Sequence, residues 1–144
     1  MMANILIIDD DRTLCEMLSL NVGRIGHSVE CAFSIKEGLK AARNGAWDVV
    51  FLDVRLPDGN GLETLPAIRS VRSRPEVIIF TGEGDPDGAQ AAIERGAWDY
   101  VEKPTSMNAM MLPLLRALDY REAKHRKKIS LAKRTWLASS HPRP

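Results

Sequence analysis

Two cysteines, no apolar run near the roughly 18 residues a membrane-crossing helix needs, and no basic stretch ahead of the first apolar one bound this chain. Each scarcity removes a class of protein. Cys15 and Cys31 lack CxxC or histidine-rich spacing, so a disulfide framework and a zinc site are excluded and both read as reduced packing thiols. The amino terminus MMANILII has no basic region before its apolar residues, which argues against a secretory signal and places the protein in the cytoplasm, away from membranes. His27, His125 and His141 have no partner pattern, so no phosphodonor histidine is predicted.

What is present fits a soluble globular domain: 144 residues, 44% hydrophobic and 27% charged. The net charge of +1 conceals a division. Residues 1–115 carry 11 Lys and Arg against 17 Asp and Glu, a net −6, whereas residues 116–144 carry 9 against 2, a net +7. The expected organisation is a body over 1–120 and a basic helical extension or linker over 121–144. That tail is too short for a separate DNA-binding or ATPase domain and has no helix-turn-helix pattern, so direct nucleic-acid binding is not expected.

Apolar runs and amphipathic stretches alternate along the body, the pattern of βα units around a parallel sheet. Strands are predicted at NILII, HSVECAF, DVVFLDV, PEVIIFT and within WDYVEKP. Helices are predicted from about Asp11 to Arg24, after Ser34 as far as Gly45, through Leu62, Leu65, Ile68 and Val71, from the DPDG start at Asp85 to Gly96, and after Ser106. Pro66 and Pro113 are expected to kink or interrupt their helices. Five strands and five helices in strict alternation give an open, doubly wound α/β sheet.

In such a sheet, sites form beyond the carboxyl ends of the strands. Strand one ends in Asp9 and Asp10, strand three in Asp53 and strand four in Thr81, while strand five is followed by Lys103 and Pro104. Three carboxylates from two strands repel one another, and a divalent cation relieves that repulsion. Mg²⁺ fits, because it favours oxygen ligands and is shared between one or two carboxylates and a phosphate. Asp11 is better placed to cap the following helix. Lys103 and Thr81 can hold phosphoryl oxygens, and Asp53 is the natural nucleophile for forming an acyl phosphate.

These residues, with the stretch DVRLPDGNGL around Asp53 and with Tyr100 preceding Lys103-Pro104, resemble the receiver domain of two-component response regulators over about residues 4–120. The resemblance implies a flavodoxin-like sheet of strand order 2-1-3-4-5. It implies that Asp53 accepts a phosphoryl group from a sensor histidine kinase or phosphotransfer protein. It further implies that Asp10, Asp53 and the backbone carbonyl of Arg55 ligate Mg²⁺ with Asp9 acting through water, and that Thr81 and Lys103 hold the phosphoryl group. Tyr100 would be the switch residue, altering the surface of helix four, strand five and helix five, and the Lys103-Pro104 bond would be cis. Such a domain has no enzymatic turnover beyond its own phosphorylation and dephosphorylation. Arg55 and Glu83 occupy positions that tune hydrolysis in the family.

GAWDYVEKP and LRALDYREAK are similar to receivers of NtrC-type, sigma-54-dependent activators, which implies control of transcription through a further domain. Met111, Leu115, Leu118, Glu122, His125, Ile129, Ala132 and Trp136 follow heptad spacing, so the last helix could continue out of the body and pair with a second copy upon phosphorylation. Three other readings stay open at this point. A flavodoxin-like cofactor binder would need phosphate donors where this chain has DDDR. A haloacid-dehalogenase phosphatase would use Asp9 and Asp11 in IIDDDRT. A degenerate receiver would act only as a protein-binding module.

Overall fold

The computed structural model describes residues 2–82, 86–103 and 106–140. Five strands, β1 (Asn4–Ile8), β2 (Ser28–Ala32), β3 (Val49–Asp53), β4 (Glu76–Thr81) and β5 (Asp99–Glu102), form one parallel sheet in the order 2-1-3-4-5. Five helices alternate with them: α1 (Arg12–Arg24), α2 (Ile35–Asn44), α3 (Gly61–Arg69), α4 (Pro86–Glu94) and α5 (Met107–Ser140). A two-residue hairpin pairs Arg55–Leu56 with Gly59–Asn60 between β3 and α3. No helix among the described residues is long and apolar enough to cross a membrane.

Alternating side chains divide the core into two layers. Ile5, Ile7, Phe51, Ile78 and Phe80 face α1 and α5, where Leu14, Leu18, Leu114 and Ala117 meet them. Leu6, Ile8, Leu52, Val77 and Ile79 face the other way, onto Ala42, Leu65, Ile68 and Ala92 of the middle helices. All five residues of β3 are buried, which is why its sequence shows no polar alternation. Each large side chain buried this completely contributes about 1.5–3 kcal/mol. The phenyl rings of Phe51 and Phe80 meet edge to face at 5.6 Å. Cys15 and Cys31 are free thiols, and the Cys15 Sγ donates to the carbonyl of Asp9 at 3.6 Å.

The helix starts follow their capping residues. Asp11 accepts from the Leu14 amide at 3.1 Å, Ser34 from Glu37 at 3.1 Å, and Ser106 from Ala109 at 3.1 Å. Two expectations fail. The third helix stops at Arg69, short of Val71; Pro66 sits inside it, and Ser70 caps the end, its amide (3.1 Å) and hydroxyl (2.7 Å) both donating to the Pro66 carbonyl. Pro113 does not interrupt α5, which runs unbroken for 34 residues. Its ring is buried beside Leu114, so packing offsets the single hydrogen bond it cannot donate. The expected cap at Asp85 lies outside the described residues.

Arg121 fastens α5 to the rest of the body. Its guanidinium donates to Asp48 Oδ1 (3.1 Å) and to the carbonyls of Arg74 (2.8 Å), Ser73 (2.7 Å) and Trp47 (3.3 Å), and it lies 3.8 Å from Glu76. Arg121→Ala leaves three carbonyls and a carboxylate without this donor. It is expected to cost about 2 kcal/mol in urea denaturation, with Arg121→Lys recovering less than half because an ammonium lacks the fork.

Candidate functional site

Asp9 follows β1 directly and is wholly buried. Its backbone amide continues the ladder to the carbonyl of Ala32 (3.0 Å), and its Oδ1 accepts from the Asp11 amide at 2.9 Å. The same turn leaves Asp10 exposed at the rim. Asp53 is the last residue of β3, 5% exposed, and lies opposite Phe80. Thr81 ends β4, buried at 4% exposure, and its carbonyl accepts the backbone amide of Lys103 at 2.7 Å. That bond fixes the start of the Lys103 side chain beside the carboxylates.

The Lys103 ammonium lies 2.5 Å from Asp9 Oδ2, 3.2 Å from Asp53 Oδ2 and 4.8 Å from the centre of the Phe80 ring. Burial pushes the lysine pKa down, but contact with Asp9 and then Asp53 outweighs it, and the net shift is upward. Lys103 is therefore held charged. Asp53 moves the other way. Its burial, and secondarily the charge of Asp9, raise its pKa to about 6 against the opposing pull of Lys103.

Asp9, Asp10 and Asp53 each offer an oxygen, all within 4.8 Å of one another. Asp9 Oδ2 is buried and pairs with the Lys103 ammonium. Three hard oxygen donors gathered this closely fit a small divalent cation such as Mg²⁺. Arg55 lies exposed in the hairpin, two residues beyond Asp53.

The hairpin is held by two residues whose roles the sequence does not reveal. Asp58 accepts the amides of Ile35 (2.8 Å) and Lys36 (3.0 Å) at the start of α2, and these bonds lower its pKa. The Asp-Gly pair signals a turn but not this long-range bond. Gly61 packs its backbone against that of Asp53, where a Cβ would stand 1.9 Å from the Asp53 carbonyl oxygen, while its amide donates to Val54 O at 2.7 Å. Tyr100 stands apart from the carboxylates, half-buried against the core layer that contains Leu52 and Ile79. Glu83 and Pro104, with the expected cis bond, lie outside the described residues. Thus Asp9, Asp10, Asp53 and Lys103 converge, Thr81 adjoins them through the Lys103 backbone, and Tyr100 occupies the neighbouring strand.

Residues 5–114 match the family described as the response regulator receiver domain. The chain is 32% identical to the DNA-binding transcriptional regulator NtrC of Azospirillum brasilense over 81% of its own length and 24% of that protein's. It is 34% identical to the photosynthetic apparatus regulatory protein RegA of Rhodobacter capsulatus over 78% of its length and 61% of that protein's. It therefore spans less than two thirds of either relative. A CheY-like receiver domain from Methanospirillum hungatei superposes with a TM-score of 0.81 at 27% identity, covering 86% of this chain and 99% of that one.

Proposed function

Because the chain belongs to the response regulator receiver family, we propose that Asp53 is its phosphoacceptor, served by a sensor histidine kinase or a phosphotransfer protein. The observation that carries this reading is the Lys103 ammonium set 3.2 Å from Asp53 Oδ2, a fixed positive charge beside a carboxylate at a strand end. An Asp53 carboxylate oxygen forms the new bond to phosphorus as the donor's bond to phosphorus breaks, and the leaving group departs in line. Lys103, already charged and buried, pairs with the phosphoryl oxygens without reorganisation at the moment of transfer. The Thr81 hydroxyl is a second donor to the phosphoryl group.

Asp10, Asp53 and the Arg55 carbonyl would hold Mg²⁺, with Asp9 acting through water. Bound there, the ion supplies neutralising charge between carboxylates and phosphoryl group. The receiver unit runs over 1–120, and Tyr100, on the strand next to Thr81, is the residue whose ring reports phosphorylation to the α4-β5-α5 surface. Residues 121–144 form a basic extension toward whatever output the protein controls. NtrC is a DNA-binding transcriptional regulator, which supports transcription as that output, and a cytoplasmic place belongs to the same proposal. Dimerisation on phosphorylation belongs to the same proposal, through the exposed heptad positions Leu115, Ile129 and Trp136.

Incubation with acetyl phosphate and Mg²⁺ is expected to add one labile phosphoryl group, mapped to Asp53 by peptide mass spectrometry and absent from Asp53→Asn. A label on Asp9 would instead establish the phosphatase chemistry. No adduct on a folded, Mg²⁺-binding protein would favour a phosphorylation-independent binding module.

A further inference from the structure

The end of the sheet opposite the carboxylates carries the reverse charge. Two adjoining cavities of about 370 Å³ each share Arg74 and Lys124 as a common wall. Arg72, His125 and Lys128 complete one, Arg69 and Arg95 the other. The acidic side chains that line them are already engaged: Asp48 and Glu76 pair with Arg121, and Glu122 pairs with Arg126 at 3.0 Å. Among the described residues, Arg69, Arg72, Arg74, Arg95, Lys124 and Lys128 form no ion pair with an acid. The three acids face two arginines, Arg121 and Arg126, so the six further cations leave the groove strongly positive, on a body whose residues 1–115 are net negative.

Two local features accompany the groove. Arg74 holds a φ of +46°, a left-handed backbone that costs a non-glycine residue about 1 kcal/mol or more. The Arg121 guanidinium pins its carbonyl in that conformation. Beside it, the Ser73 hydroxyl is buried in the groove wall without a hydrogen-bond partner among the described residues.

We propose that this groove binds the phosphate backbone of nucleic acid without reading its sequence. Four of the six cations are arginines, whose planar forks match phosphate oxygens. No exposed large apolar side chain lines the groove, whereas a protein partner needs an apolar centre to its interface. Cations spread along two adjoining cavities suit a polymer of regularly spaced charge, and the acidic opposite end steers such a polymer to this face. The lack of a helix-turn-helix excludes reading base edges through that motif, but backbone binding needs only cations. The proposal departs from the sequence-based expectation of no direct nucleic-acid binding.

The test is fluorescence polarisation of the full chain with a labelled duplex of about 20 random base pairs, from about 50 to 200 mM salt. The expected result is micromolar binding at the low end, with a slope of log K against log salt of about −4.5, from about five neutralised phosphates. Arg72→Ala/Lys124→Ala/Lys128→Ala, all exposed positions, should weaken binding about tenfold or more and flatten that slope by about 2.7. Lys133→Ala/Arg134→Ala on the distal helix should change affinity less than about threefold. Unfolding midpoints establish that both variants are folded. Absent duplex binding at low salt, equal losses in the two variants, or equal competition by inorganic triphosphate or polyglutamate would overturn the proposal.

Discussion

Gly61→Ala is expected to destabilise the protein by about 3 kcal/mol and to remove its ability to take up a phosphoryl group. A methyl at this position would stand 1.9 Å from the carbonyl oxygen of Asp53, a backbone atom at the end of a wholly buried strand. No side-chain rotation relieves that overlap, so either α3 or the end of β3 must move, and overpacking of this kind costs about 1–3 kcal/mol or more. The helix start is anchored by the Gly61 amide on Val54 and by Asn60, which caps α3 by accepting the Leu62 amide at 2.8 Å. The strain therefore falls on Asp53, whose carboxylate must keep its place beside Lys103. For a domain of this size the melting temperature should fall by about 10 °C. Gly23 supplies the comparison: nothing lies within 4 Å of its Cβ position inside α1, so Gly23→Ala should stabilise by about 0.5–1 kcal/mol. Thermal melts of both variants, with acetyl phosphate labelling of the first, check the pair. A Gly61→Ala protein as stable and as reactive as the parent would refute the packing argument.

The second large effect concerns the charge of Asp53 itself. In the metal-free protein its pKa is raised to about 6, chiefly by burial and then by Asp9. The native state therefore holds this proton more tightly than the unfolded chain. The resulting stability is fully present below the unfolded value near 4 and is lost as pH rises through about 6. Above that pH the protein carries a buried carboxylate only partly compensated by Lys103. Asp53→Asn removes that penalty and leaves Lys103 its contact with Asp9, so at pH 7.5 the variant should be more stable by about 1–2 kcal/mol. Near pH 4 the advantage should disappear. Adding Mg²⁺ should stabilise the parent and narrow the gap, because the ion needs the carboxylate the variant lacks. Urea denaturation at the two pH values, with and without the metal, measures each part. A variant less stable than the parent at pH 7.5 would show that Lys103 compensates Asp53 more fully than the burial allows.

The residues at the strand ends were legible because two independent patterns coincide there. Apolar runs locate the strands, and the chemistry of the residues that terminate them, Asp9, Asp10, Asp53, Thr81 and Lys103, names the edge. Capping by Asp11, Ser34 and Ser106 was equally readable, since a side-chain oxygen three residues before an amide is a local relation. What escaped was long-range or steric. Asp58 clasps α2 from a loop more than twenty residues away, a relation no local pattern encodes. Gly61 looks like one more loop glycine until the Asp53 carbonyl is placed beside it. Pro113 reads as a helix breaker from its own chemistry, yet its burial in the folded protein decides the outcome. The basic groove was hidden for the same reason: Arg69, Arg72, Arg74 and Arg95 are scattered through an acidic half of the sequence, and only folding sets them beside Lys124 and Lys128.

The unbroken α5 gives the molecule a rigid pointer. Its last buried apolar residue is Leu118, and the helix continues to Ser140, which at a rise of about 1.5 Å per residue carries its tip about 33 Å from the core. A tilt of about 5° at the buried root would sweep that tip through about 3 Å, roughly the width of an atom. A rearrangement too small to register among the packed side chains would thus reach the far end as a displacement large enough to make or break a contact. Arg121, seated just beyond the root, is the fulcrum about which such a lever would turn.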